Sequence, residues 1–396
     1  ERKIYLDYIL DHYSKTPMKK CKPLIRSLLR MGAYQILFMD VRDAAACSEA
    51  VSLAKKRGFG RLSGFVNGVL RTLVREKENL PVPDKKDDVK YVSITYSVPE
   101  WLSKLIIEQY GKESAEKIFA SFLEARPLTI RTNLSKTTPE ELEKELEEAG
   151  VKVEKGNYLP YAFTISNLNY LGKIAAFRQG KFAVQDESSQ LAVAIADIKE
   201  GDFVLDVCAA PGGKTFHAAD RLKGAGKVLS RDLTEYKTEL IEENKDRMHY
   251  ENVEVQQWDA LEEDESLLES VDVLLADLPC SGLGIMGRKN DIKYQMTEEQ
   301  LGELAALQRQ ILSVVWKYVK PGGQMIFSTC TLNKGENAEN IKWIEENTPL
   351  HLVSIEEYLP QNLKNRTGSQ GYLQLIPGED TCDGFFISKF KRPEAK

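Results

Sequence analysis

In Val273-Leu274-Leu275-Ala276-Asp277-Leu278-Pro279-Cys280-Ser281-Gly282, four apolar residues run into a carboxylate, a proline and a thiol. Met325-Ile326-Phe327-Ser328-Thr329-Cys330-Thr331 leads in the same way to a second thiol. Short apolar runs bounded by Gly or Pro suit strands buried on both faces. Each cysteine then falls where a parallel strand gives way to its loop, the edge at which open α/β sheets hold their ligands.

Outward from these runs the pattern alternates strand and helix. Strands are predicted at 203–207, 227–232, 253–259, 271–276 and 324–329, with a helical stripe over 299–320 (Leu301, Leu304, Leu307, Ile311, Val315, Tyr318) and a last edge strand at 385–390. This is the order of a doubly wound parallel sheet. Its first strand runs into Cys208-Ala209-Ala210-Pro211-Gly212-Gly213-Lys214-Thr215, small residues that let backbone amides approach a ligand at a helix start. Asp232 ends the second strand, about twenty residues after Gly212, where a carboxylate commonly bonds a ribose. Asp259 is expected to end the third and to reach an adenine amine. A nucleoside without a long phosphate chain fits this set best. Gly213-Lys214-Thr215 is also compatible with a P-loop, but the P-loop glycine five residues before Gly213 is replaced by Cys208.

In a doubly wound sheet the fourth strand lies beside the first, so Asp277 and Cys280 should face the cofactor turn with Cys330 next to them. A thiol in a polar, accessible site makes covalent catalysis plausible. Two buried structural cysteines are the alternative reading. The spacing does not distinguish the roles of the two thiols.

Upstream, Leu128-Thr129-Ile130-Arg131-Thr132-Asn133 alternates as a strand, Thr138-Pro139-Glu140-Glu141 has a capping box with proline in the first turn, and 151–154 and 162–165 read as strands. Helices are expected at 99–110 and 114–124. A charge-rich segment with Pro81 and Pro83 reads as a linker. Before it the chain reads as all-helical, with Leu62, Phe65, Val66, Val69, Leu70 and Leu73 on one stripe. Lys19, Lys20, Lys22, Lys55, Lys56, Arg57, Arg61, Arg71 and Arg75 decorate this part, as a solvated face or as an RNA contact.

With 396 residues, the chain is expected to hold two or three domains. No apolar run approaches membrane-spanning length and no signal-peptide pattern opens the sequence. Six scattered cysteines without a CxxC pair or clustered His argue against a disulfide framework or a metal site, and a reducing cytoplasm is expected. A net charge of −6 does not advertise nucleic acid, although a local basic face can still bind it.

Cys208 to Thr215, Asp277 to Gly282 and Ser328 to Thr331, in this order and spacing, resemble the RNA 5-methylcytosine methyltransferases that use S-adenosylmethionine. Arg131-Thr132-Asn133, Gln185-Asp186-Glu187-Ser188-Ser189 and Asp383-Gly384-Phe385-Phe386 match further signatures of that family. Arg30-Met31-Gly32-Ala33-Tyr34-Gln35 and Phe65-Val66-Asn67-Gly68-Val69-Leu70 are similar to a NusB-like RNA-binding domain, which points to the RsmB (Sun) branch. Leu278 stands where the family usually has alanine, Lys237 where it commonly has arginine, and Arg231 where a small residue is more usual.

The resemblance implies methylation of cytosine C5 in 16S rRNA, on the RNA or an early small-subunit particle, by a monomer with no metal and no membrane. It makes Cys330 the nucleophile toward C6, Cys280 the group that assists elimination, and Asp277 the partner of the base's N3 and amine edge. The cofactor contacts it implies are Cys208, Ala209, Ala210, Pro211, Gly212, Gly213, Lys214, Asp232, Asp259 and Asp277. The expected organisation is a multidomain chain: an all-α NusB-like domain at 1–80, a linker at 81–90, a small α+β RNA-binding unit at 91–190, and a Rossmann-like class I methyltransferase domain at 191–396. The NusB-like domain is expected to begin partway through, so that added upstream residues would tighten rRNA binding. Alternatives are a non-catalytic RNA-binding or ribosome assembly protein, methylation of another RNA such as tRNA, or a DNA cytosine methyltransferase with Cys280 as nucleophile.

Overall fold

The computed structural model describes residues 1–394. The chain divides into two compact units, Glu1–Leu123 and Glu124–Lys396. Among the described residues no helix is long and apolar enough to cross a membrane.

The first unit is helical: α1 (Lys3–Tyr13), α2 (Pro23–Phe38), α3 (Asp43–Lys56), α4 (Ser63–Glu76), α5 (Asp88–Tyr96), α6 (Glu100–Tyr110) and α7 (Lys112–Ser121). The predicted stripe lies on α4, and Val66, Val69, Leu70 and Leu73 are buried against Leu29, Ala33 and Ala50. Helices α2 and α4 approach closely at Gly32, where a Cβ would lie 2.7 Å from Leu70 Cδ1. The segment expected as a linker, 81–90, lies inside this unit. Its end already begins α5, because the Asp87 carboxylate accepts from the Lys90 amide and caps the helix. The Ile4 amide then donates to Ser97 Oγ at 2.7 Å, tying the end of α5 to α1.

The second unit begins with a four-stranded antiparallel sheet, ordered β2-β3-β1-β4. Its strands are β1 (Leu128–Thr132), β2 (Lys152–Lys155), β3 (Ala162–Ser166) and β4 (Phe182–Val184), with α8 (Pro139–Glu148) and α9 (Ala175–Arg178) between them. The Thr138 capping box forms as the sequence suggests, with the Glu141 amide donating to Thr138 Oγ1 and the Thr138 amide to Glu141 Oε2. Helix α10 (Glu187–Ile195), capped by Asp186, crosses the boundary expected near residue 190.

The rest is an eight-stranded mixed sheet. In chain order it comprises β5 (Phe203–Asp206), α11 (Gly213–Arg221), β6 (Lys227–Asp232), α12 (Glu235–Met248), β7 (Val253–Gln257), β8 (Val271–Asp277), α13 (Ile292–Gln295), α14 (Glu298–Val315), β9 (Val319–Thr329), α15 (Ala338–Asn347), β10 (His351–Leu352), β11 (Tyr372–Leu375) and β12 (Phe385–Lys391). The spatial order is β10-β12-β9-β8-β5-β6-β7, with β11 also paired to β12. Strands β9 through β7 are parallel; β12 runs antiparallel to β9. Alternate residues feed two cores, as period-two strands covered on both faces require. Val204, Val273, Leu275 and Ile326 pack toward α10 and α11, whereas Leu205, Leu274, Ala276 and Phe327 pack toward α14 and α15.

Three expectations change. Strand β12 is an interior strand, flanked by β9 on one side and β10 and β11 on the other, which explains why Phe385 through Phe390 are all buried. Strand β7 ends at Gln257, so Asp259 lies in the following turn, where its carboxylate accepts from the Leu261 amide at 2.9 Å. The long helix stops at Val315, and a single 3-10 turn leads into a strand that starts at Val319 and runs through Pro321.

Candidate active site

The order reverses at β5, which has β6 on one side and β8 on the other, and a cleft opens at the carboxyl ends of these strands. Gly212 shapes its floor. Its φ is +99°, and a Cβ there would lie 2.3 Å from the Phe216 ring, so only glycine can make this turn into α11. Phe216 is fixed in turn by stacking on Tyr250. The cleft is lined by Cys208, Ala209, Ala210, Pro211, Gly213, Lys214 and Asp277 from the predicted set. Val184, Gln185, Asp186, Ser189 and Asp206 complete the lining.

Asp232, buried at the end of β6, accepts from the Ala210 amide through Oδ2 and from the Leu233 amide and Lys237 Nζ through Oδ1. Lys237 thus supplies the cation beside the acid where arginine was expected. Arg231 is held by Gln256 and Asp264 and lies over Trp258, so its bulk is accommodated away from the cleft. Neither Asp232 nor Asp259 lines this cleft; Asp232 bears on it through the Ala210 amide.

Asp206 is a cleft residue that the sequence reading left unassigned. Its Oδ2 accepts from Thr215 Oγ1 at 2.8 Å, whereas Oδ1 is buried without a partner. Burial raises its pKa to about 7, against the opposing pull of Thr215 and Lys214. An orphaned carboxylate oxygen at the cleft suits an ammonium group such as that of an amino-acid moiety. The available signal was its position, an acid at a strand end two residues before Cys208. Burial also pushes the Cys208 thiol well up, which makes it a lining group and a poor nucleophile.

Beyond the cleft stand the chemical groups. Asp277 is gripped from both sides: Lys214 Nζ donates to Oδ2 at 2.6 Å and Ser328 Oγ to Oδ1 at 2.7 Å. Cys280 and Cys330 are free thiols, both half-buried, with sulfurs 3.3 Å apart. The hydrogen bond with Cys330, then burial, then the charges of Cys330 and Glu336 raise the Cys280 pKa well above its ordinary value. Leu278, in the place of the usual alanine, is buried in the core under α14. A larger cavity of about 910 Å³ is lined elsewhere by Asn133, Asp220, Arg221 and Tyr250 among others, with no cysteine among its lining residues.

A switch-point cleft suited to a nucleoside with an amino-acid moiety, next to two thiols and a clamped carboxylate, defines the class of Rossmann-like methyltransferases. The chain belongs to the 16S rRNA methyltransferase RsmB/F family, whose model matches residues 193–391. Residues 1–75 match the NusB family and 98–169 the ferredoxin-like domain of the RsmF/B-like methyltransferases. The probable ribosomal RNA small subunit methyltransferase B of Bacillus subtilis (strain 168) is 37% identical, over 99% of this chain and 88% of the relative. Its counterpart in Synechocystis sp. is 30% identical, over 98% and 87%. Among solved structures, PH0851 superposes with a TM-score of 0.83 at 27% identity, over 99% of this chain and 87% of that one. NSun6 from Pyrococcus horikoshii shares the fold, with a TM-score of 0.66 at 22% identity over 75% and 99%. The cofactor is S-adenosylmethionine, and the unpartnered Oδ1 of Asp206 in the cleft fits its ammonium group.

Proposed function

We propose that the protein methylates C5 of a cytosine in small-subunit rRNA through a covalent adduct between Cys330 and C6. Support for the RNA comes from the family and its named relatives. The observation that carries the chemistry is the pair of thiols 3.3 Å apart, beside an aspartate held by a lysine and a serine at the mouth of the cofactor cleft.

S-adenosylmethionine, when bound, supplies the methyl group. The target cytosine must leave its stack to enter such a pocket. Asp277 keeps lone pairs free on both oxygens, and these accept from the exocyclic amine and from N3 once N3 has taken up a proton during attack. Lys214 and Ser328 hold the carboxylate for that contact. Cys330 Sγ adds to C6 as its proton passes to N3, opening the C5–C6 double bond and making C5 nucleophilic toward the methyl group. After transfer, the C5 proton leaves and the Sγ–C6 bond breaks, restoring the ring. Once Cys330 is bonded to C6, the neighbouring charge that raises the Cys280 pKa is gone, and Cys280 releases its own proton to solvent. It then serves as the base that receives the C5 proton.

The test incubates Cys280→Ala and Cys330→Ala with S-adenosylmethionine and small-subunit rRNA and separates the products on a denaturing gel. An RNA adduct with Cys280→Ala and none with Cys330→Ala is expected. The reverse pattern would exchange the two roles, and no adduct or methyl transfer even in the parent would overturn the proposal.

A further inference from the structure

Glu336 belongs to none of the groups placed around the reacting base, yet it is completely buried and has an unusual set of partners. Its Oε2 accepts from the Ser281 amide at 2.9 Å and from Gln308 Nε2 at 3.1 Å. Its Oε1 accepts from Ser281 Oγ at 2.6 Å and from Asn333 Nδ2 at 3.1 Å. Ser281 directly follows Cys280, and Asn333 lies three residues after Cys330. The two loops are joined again where Ser281 Oγ meets Thr331 Oγ1 at 2.6 Å. Gln308, on α14, also donates to the Pro279 carbonyl, and its own oxygen accepts from Asn340 Nδ2.

Burying a carboxylate is costly unless its lone pairs are filled. Here they are filled by donors from the two loops that carry the thiols and from one helix that braces both. We propose that Glu336 is a positioning residue that fixes the separation of Cys280 and Cys330, acting through Ser281 and Asn333.

The partners make the carboxylate irreplaceable by its own amide. The Ser281 amide is an obligate donor on Oε2. Asn333 Nδ2 is fixed as a donor on Oε1, because Asn333 Oδ1 accepts from the Gly335 amide. Glu336→Gln therefore sets an amide hydrogen against a donor in either orientation. Glu336 does not line the cofactor cleft, so the damage should reach the thiols and leave cofactor binding alone.

The experiment compares the parent, Glu336→Gln, Ser281→Ala and, as a surface control, Glu339→Gln. First, the free protein is treated with diamide, which takes two electrons and two protons from the thiol pair to give a Cys280–Cys330 disulfide, and the rate is followed by peptide mass. Second, kcat and the KM for S-adenosylmethionine are measured with small-subunit rRNA. In Glu336→Gln and, more weakly, in Ser281→Ala, disulfide formation should slow about tenfold or more. Turnover should fall by up to about a hundredfold, as for a misplacement near 1 Å, with KM for the cofactor unchanged. Glu339→Gln should match the parent.

Unaltered crosslinking in Glu336→Gln would overturn the proposal, as would a fall in kcat accompanied by a parallel rise in KM. The inference rests on the covalent reading only for its effect on turnover. If that reading fails, Cys280→Ala traps no RNA adduct, while the crosslinking difference between parent and Glu336→Gln still decides the role of Glu336.

Discussion

Lys214 Nζ lies 2.6 Å from Asp277 Oδ2, joining the first turn of α11 to the end of β8 across 63 residues of sequence. The lysine is buried and its ammonium also sits 5.0 Å from the Phe385 ring centroid, so it has little freedom to point elsewhere. One side chain thus ties the cofactor turn to the carboxylate proposed to face the base.

Lys214→Met should therefore lower kcat/KM for methyl transfer about a hundredfold, the scale for losing one oriented donor beside developing charge. The aspartate would keep only Ser328. Radiolabelled methyl incorporation into small-subunit rRNA measures the loss, and a melting curve within a few degrees of the parent would separate it from unfolding. A variant within threefold of the parent would remove Lys214 from the chemistry.

A second prediction concerns the join between the small sheet and the large one. Asp220, on α11, accepts from Arg131 NH1 at 3.1 Å, from the Leu134 and Ser135 amides, and from Ser135 Oγ. Both Arg131 and Asp220 are buried. Asp220→Ala takes the opposite charge from the buried Arg131, which keeps only Gln185 Oε1 and the Thr132 carbonyl, and the acceptor from the Leu134 amide, which should cost about 3–5 kcal/mol in urea unfolding. The diamide rate of the thiol pair should not change. Destabilisation below about 1 kcal/mol would mean that the join is held elsewhere.

Much of this arrangement was legible in the residues. The apolar runs at 273–276 and 325–327 suited two-sided strands, and parallel order then put Asp277, Cys280 and Cys330 on one edge. Other parts depended on packing that spacing does not encode. Asp259 reads as a strand end, but its own side chain turns the chain two residues early. The Phe-rich run at 385–390 looks like an edge in sequence because nothing local reveals that β10 and β11 return to cover it. Glu336 lies in a polar stretch after Cys330 and has no periodicity; only the meeting of three segments makes it stand out. Asp206 is hidden for a similar reason, since an acid at a strand end is common and its unpartnered oxygen is a property of the packed site.

A third prediction tests the helical unit. Lys19, Lys20 and Lys22 are exposed and closely spaced beside the start of α2. If they touch phosphates, replacing all three by alanine should weaken rRNA binding and flatten its salt dependence, by about 0.7–0.9 in the logarithmic slope for each phosphate no longer neutralised. Filter binding between about 50 and 200 mM salt gives both numbers. An unchanged slope would leave these lysines as a solvated face.

The last prediction follows from Asp206, whose folded-state pKa is raised to about 7 by burial. An acid with a raised folded pKa is favoured in its protonated form, so its contribution to stability is present below its unfolded pKa and is lost as pH rises through about 7. The cofactor-free protein should therefore lose stability between about pH 4 and 7, and Asp206→Asn should remove that component of the slope. Cofactor binding has the opposite sign, because the ammonium of S-adenosylmethionine favours the ionised carboxylate. From about pH 6 to pH 8 a group with a pKa of about 7 goes from about one-tenth to about nine-tenths ionised, so affinity should rise by up to about tenfold. Calorimetric titration of parent and Asp206→Asn at the two pH values measures the effect. A parent affinity that stays flat, or an equal pH response in Asp206→Asn, would remove Asp206 from the cofactor's amino-acid end.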